Sequence, residues 1–329
     1  MKDLFIFPAM LKMFAEPNTQ TTGTGTLSVE MKTYYSDYLI DNAKPNLVHD
    51  QFGQKHPIPK NGGKTIEFRK FMPFSKATEK LTEGVTPDGG SLEVTKVEST
   101  IGQYGYYVTI SDMLMLTAID NTLVETTKLL GAQAGATLDT ITREVLNGGT
   151  NVMYCGGKEA RDALAAGDKL TVDDIFRAAR ALKQQNAPKI SGSYVAIIHP
   201  DVAYDLMRDS EWIDVHKYSA TTEIFEGEIG KIAGVRFVET TEAKIFGKAA
   251  SGGKDVYSTL VLGANAYGVT EVTGGGLEHI VKQLGSGGTS DPLNQRATAG
   301  WKGTKTAERL VENYMIRIES VSTFDSGAN

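Results

Sequence analysis

Polar and apolar positions alternate along residues 64–74. Thr65, Glu67 and Arg69 take one parity and Ile66 and Phe68 the other, which is the period of a β-strand. Alternation resumes over residues 92–110. Leu92 and Val94 alternate with Glu93 and Thr95, and Tyr104, Tyr106, Val108 and Ile110 share one parity. Val97 and Ile101 sit on the opposite parity, so the register shifts twice along this return run, with Gly102 the candidate bulge. Residues 75–91 (SKATEKLTEGVTPDGGS) join the arms through the turn Pro87-Asp88-Gly89. The pattern predicts a two-stranded ribbon over 64–110 with a charged tip, its eleven-residue first arm reaching about 36 Å. Two strands alone are marginal in water and leave both edges unpaired. The ribbon therefore folds back on its own domain or lies on a neighbouring copy; the residues alone leave both open.

Around the ribbon the period changes to helical. Val29, Met31, Tyr35, Tyr38 and Leu39 predict a helix from about Leu27 to Ala43, stopped before Pro45. After the ribbon, Leu123, Leu130, Ala134, Leu138, Ile141 and Val145 form one stripe of a long helix. It begins at Ser111 or Thr117 and runs to Leu146, ahead of Gly148-Gly149. The second half reads as α/β. Thr171 to Asp174 resembles a capping box with Asp in place of Glu, followed by the stripe Ile175, Ala178, Ala179, Leu182. YVAII (194–198) is a buried strand, and His199-Pro200-Asp201 opens a helix. Further strands are predicted at 234–239, 256–262, 266–272, 277–284 and 314–321, with a loop at 285–288. Residues 16–26 (EPNTQTTGTGT) read as a flexible arm.

Composition narrows the class. The 329 residues carry a net charge of -6, which argues against a general nucleic-acid binder. Gly, at 35 residues, exceeds the roughly 23 of average usage, as in loop- and β-rich chains. The single Cys155 excludes a disulfide framework and a cysteine-based zinc site. No apolar run reaches membrane-spanning length. Leu4–Leu11 reads as a sticky N-terminal segment rather than a signal peptide, being broken by Pro8 and ended by Lys12.

The search for chemistry is negative throughout. No pair among His49, His56, His199, His216 and His279 has metal-ligand spacing, and His199 reads as a strand-to-helix junction. Gly63-Lys64-Thr65 ends like a phosphate loop, but Ile58 stands where its first glycine belongs. Ser251 and Lys254 have S-x-x-K spacing inside a Gly-rich loop, without the companion motifs. No metal, cofactor or catalytic residue is expected, and a structural or binding role leads.

The order of elements, the strand-helix run Tyr194–Asp201 and the stretch Glu226–Thr240 (EGEIGKIAGVRFVET) resemble the major capsid proteins of tailed bacteriophages. The resemblance implies an α+β chain with the Hong Kong 97-type capsid fold, in the branch of the phage N-four major capsid protein. It implies an N-terminal arm at 1–26, a helix and connector at 27–63 and an extended β-ribbon loop at 64–110. It then implies a spine helix of a peripheral domain at 111–169, an axial domain at 170–265, and C-terminal strands returning to the peripheral domain at 266–329. The implied function is self-assembly, as pentamers and hexamers, into the icosahedral shell around a double-stranded DNA genome. Implied partners are a scaffolding protein, a portal, a decoration protein and DNA bound without sequence-specific contacts; no membrane is involved. Assembly takes place in the host cytoplasm and the product is the virion capsid. The ribbon residues Glu67, Arg69, Phe74, Lys76, Lys80, Glu83, Pro87 and Asp88 are the candidate inter-subunit contacts. Some relatives weld shells through Lys–Asn isopeptide bonds; Lys76 and Lys80 with Asn294 or Asn313 supply the residue types, but nothing marks a matching acid. The rival readings are an encapsulin-like compartment shell, an enzyme using Ser251 or Cys155, and a surface adhesin.

Overall fold

The computed structural model describes residues 39, 43, 47–57, 64–71, 74, 76–78, 80, 81, 83, 84, 86, 89–117, 122–213, 230–270, 277–287 and 291–329. The predicted arm, most of the helix at 27–43, and Pro87 and Asp88 lie outside the described residues. In chain order the elements are β1 (Gln54–His56), β2 (Thr65–Phe71), β3 (Val94–Thr100), β4 (Gly102–Ser111), α1 (Asp112–Thr117), α2 (Thr122–Asn147), β5 (Val152–Tyr154), α3 (Val172–Gln184), β6 (Tyr194–Ile198), α4 (Pro200–Met207), β7 (Lys231–Ile232), β8 (Val235–Glu239), β9 (Ile245–Phe246), β10 (Val256–Leu262), β11 (Tyr267–Thr270), β12 (Leu277–Lys282), β13 (Arg296–Lys305), β14 (Ala307–Arg309) and β15 (Met315–Val321).

One lobe is built on a mixed sheet of order β5-β15-β10-β6-β8-β7, with β9 also on β10. Every residue of β6, β10 and β15 is buried; β6 reads as a continuous apolar run, whereas β10 buries Ser258 and Thr259 and β15 buries Arg317, Glu319 and Ser320. Helix α3 presses Ile175, Ala178, Ala179 and Leu182 into this core. Its start is the expected capping box: Thr171 Oγ1 accepts from the Asp174 backbone N–H, and the Asp174 carboxylate accepts from that of Thr171. His199 caps α4 through Nδ1, which accepts the Asp201 N–H at 3.2 Å, with Pro200 in the first turn. Strands β7 and β8 turn through Ala233 and Gly234, both at positive φ, the mirror-image turn that matches strand twist.

A buried carboxylate ties the edge of this sheet. Glu319 on β15 accepts from Arg161 Nε and Nη2 at 2.6 and 2.7 Å, and Arg317 Nε forms an ion pair with it at 2.9 Å. The Arg161 guanidinium also lies 3.5 Å from the Phe246 ring centroid.

The second lobe packs the 26-residue helix α2, about 39 Å long, on the sheet β12-β13-β4. Leu130, Ala134 and Leu138 of the predicted stripe meet Leu277, Ala299 and Trp301, and Leu39, Ala43 and Leu47 join the same core. A small sheet β1-β11-β14 lies alongside. Buried polar contacts pin the segment before β1 to α2. His49 Nδ1 is 2.6 Å from Asp139 Oδ2, and Thr142 Oγ1 donates to Asp50 at 2.6 Å. Lys305, fully buried, pairs with the same Asp50.

Two expectations need correction. The return run of the ribbon is not one strand. It breaks at Ile101: β3 pairs with β2, whereas β4 leaves to pair along its whole length with β13. The ribbon proper thus ends at 100, because β4 finds a ten-residue partner that the sequence pattern does not announce. Of the helix expected from Ser111 or Thr117 to Leu146, Asp112–Thr117 and Thr122–Asn147 are helical and residues 118–121 lie outside the described residues. Finally, β11 to β14 lie in the second lobe's sheets, but β15 does not follow them. It lies between β5 and β10, where its apolar residues are covered on both faces.

Candidate assembly interface

The ribbon has two unlike halves. At its base, Ile66 and Phe68 point inward and are buried. Phe68 meets His56 edge-on at 4.8 Å, and its ring lies against Gly268, where a Cβ would overlap it. Ser99 Oγ is 2.6 Å from Thr306 Oγ1. This base is held by its own chain, so an adjoining copy is not the ribbon's sole support.

The opposite face of the base is charged. Glu67 faces Glu98 and Arg69 faces Lys96 directly across the strands, a pairing of like charges that would destabilise by itself. Lys96 resolves it, reaching Glu98 at 2.6 Å and Glu67 at 3.5 Å. The hydrogen bond to Glu98, followed by the field of Glu67, raises the Lys96 ammonium above its usual pKa. Glu67 and Arg69 are thus already engaged within the ribbon; Arg69 lies 3.9 Å from Glu67.

The tip half is bare. Phe74 and Leu81 are 68% and 76% exposed, with Leu92 and Val94 also exposed. Lys76, Lys80 and Glu83 are exposed, and none of them forms an ion pair among the described residues. The structure therefore separates the sequence-predicted contact residues into an engaged pair, Glu67 and Arg69, and a free group, Phe74, Lys76, Lys80 and Glu83.

Two features escaped the sequence reading. Helix α1 (DMLMLT) buries none of its residues; Leu116 is 80% exposed, and Met113, Leu114 and Met115 are exposed with it. Along β4, Gln103 to Tyr107 are exposed in succession. Tyr104, Tyr106 and Tyr107 line an open groove of about 770 Å³ with Ile280, Lys282 and Arg296. A run of neighbouring apolar side chains in water marks a surface that a partner covers. The signal was present as Met113–Leu116, but it reads equally as the start of the long helix's stripe.

The candidate nucleophiles do not form sites. Burial, with Asp174 nearby, pushes the Cys155 thiol far above its ordinary range. Ser251 lies in an exposed turn whose Lys254 pairs with Asp325. Burial lowers the His199 imidazole pKa, with Asp201 opposing, and the ring serves as a helix cap.

Residues 94–308 match the family described as phage capsid protein. The chain belongs to that family. This capsid protein is similar in structure to the capsid of cyanophage P-SCSP1u, with 16% identity over 84% of this chain and 89% of the other, at a TM-score of 0.65. It is similar to the capsid of Ralstonia phage GP4, with 17% identity over 82% and 86% and a TM-score of 0.64. A virus-like particle from Pyrococcus furiosus aligns at 11% identity over 88% and 99%, with a TM-score of 0.52. No curated protein matches in sequence. The capsid protein has the Hong Kong 97-type fold, and its role is that of a major capsid shell protein.

Proposed function

We propose that copies of this chain assemble as pentamers and hexamers into a closed icosahedral shell around the double-stranded DNA of a tailed phage. The observation that carries the reading is the contrast within the ribbon: a base seated on its own body and a bare tip bearing Phe74, Leu81 and Leu92. The tip residues Phe74, Lys76, Lys80, Glu83, Pro87 and Asp88 meet the adjoining subunit, and Glu67 and Arg69 stiffen the ribbon behind them. Apolar tip residues supply affinity; exposed charges add little energy each and set register. Each contact is modest, and closure by symmetry makes the whole stable. A scaffolding protein, a portal and a decoration protein are the further partners, and assembly occurs in the host cytoplasm. The net charge of -6 suits a container that releases its DNA. The role is non-enzymatic, which the inert Cys155 thiol supports.

Deleting residues 75–91 is the test. The shortened chain retains its circular dichroism spectrum and melting profile, and electron microscopy finds no closed particles. Normal particles from that chain overturn the role of the tip. Particles purified from the native host and assayed for double-stranded DNA separate a genome container from a compartment for other cargo.

A further inference from the structure

Strand β4 is an edge. All ten of its residues pair with β13 on one side, from Gly102 opposite Lys305 to Ser111 opposite Arg296. Among the described residues no strand pairs with its other side. Proteins shield such edges with a lysine, a proline, a bulge or a covering segment, because a bare edge recruits further strands. The sequence of β4, GQYGYYVTIS, contains neither charge nor proline. Its neighbour α1 extends the same surface with four exposed apolar residues, and Asp112 is the only charge between 102 and 117.

We propose that β4 is completed by β4 of a second copy, the two edges pairing antiparallel across a twofold axis. Strands from one copy and the other then form one continuous sheet, β12-β13-β4 meeting its own reverse. The occupant follows from charge. A strand that pairs with itself brings its own residues together, so any charge it carries meets a like charge in some register. Strands β2 and β3 carry Glu67, Arg69, Lys96 and Glu98 and are poorly suited to this. The uncharged β4 tolerates every register. A twofold normal to the sheet pairs residues of like parity, so the longest registers centre on Tyr106, with Gly102 facing Ile110 of the mate, or on Tyr107, with Gln103 facing Ser111. The exposed Met113–Leu116 of each copy then lie beside the ribbon base of its mate, which removes them from water. The proposal takes from the preceding section only that copies assemble.

Single cysteines report the axis. Cys155 is fully buried, so Tyr104→Cys, Tyr106→Cys, Tyr107→Cys and Thr109→Cys each add one reactive thiol to the full chain. Equivalent residues two positions from a twofold axis are about 13 Å apart along the strand. A disulfide needs Cα atoms within roughly 7 Å. Oxidised particles are therefore expected to give disulfide-linked dimers from one position, Tyr106→Cys or Tyr107→Cys, and monomers from the others. Dimers from all four positions alike, or from none while particles still form, overturn the pairing and leave the shell reading standing. If the unaltered chain forms no particles, the shell reading fails and the pairing with it. A second variant, Tyr106→Lys with Tyr107→Lys, places charge on both sides of the edge. Its melting profile is expected to stay unchanged while particle yield falls by about tenfold; an unchanged yield also overturns the proposal.

Discussion

The β10–β15 pair and the β4 edge are both long antiparallel strands, and they are finished differently. Strand β10 has neighbours on both sides and all seven of its residues buried. Strand β4 has one neighbour among the described residues, five consecutive exposed residues and an apolar helix at its end that buries nothing. The first region is complete within one chain. The second leaves an apolar surface and one row of backbone groups uncovered among the described residues. A shell subunit needs both conditions, a lobe that folds before contact and a surface that folding leaves unsatisfied.

That division is open to direct attack. The largest effect is expected where the chain is complete. Glu319→Ala leaves Arg161 and Arg317 facing each other without their carboxylate, at a cost of about 3–5 kcal/mol in urea unfolding. A loss under about 1 kcal/mol would mean that solvent reaches this edge of the sheet. Next is Phe68→Ala, which empties the seat of the ribbon base over Gly268 and should cost about 3 kcal/mol. A neutral result would move the base into the unsatisfied region.

Acid acts more gently, on the C-terminal residues. Burial alone would raise the Asp205 pKa, but hydrogen bonds from Thr323, Ser322 and Lys169 outweigh it and hold the carboxyl below the usual aspartate range. A depressed folded value stabilises above the unfolded pKa, near 3.9, and that contribution is lost as pH falls through the folded value. Asp205→Asn should thus lower the melting temperature at pH 7, with the gap to the unaltered protein closing in acid. A gap independent of pH would remove the charge from the account. The smallest effect on stability is expected from Leu114→Ser with Leu116→Ser, within about 0.5 kcal/mol, since both side chains already face water. Light scattering of assembly should fall sharply for the same variant, and unimpaired assembly would show that α1 stays wet.

What the sequence reveals follows the same line. Strands β6 and β10 have the bounds expected of them, 194–198 and 256–262, because a short run dominated by apolar and β-branched residues between turns has few other uses. Helices α3 and α4 are legible from their caps, Thr171 and His199-Pro200. Strand β13 is not legible. Ala297, Ala299, Gly300 and Gly303 carry little strand preference, and their pairing is imposed by β4 and β12 on either side. The membership of β15 depends on which distant strand it meets, which a local pattern does not encode. At the interface the charged tip is readable from its length and composition. The exposed leucines of α1 are not, since periodicity cannot tell a core stripe from one that waits for another molecule.

The seat of Phe68 over Gly268 has a mechanical meaning. It works as a fulcrum near the root of a long arm. A neighbour that pulls on the tip must bend the ribbon beyond the seat or tilt β11 with it, and residues 263–266 alone link β11 to β10 in the middle of the other lobe. Force arriving at the rim of one subunit therefore has a short covalent route to its centre.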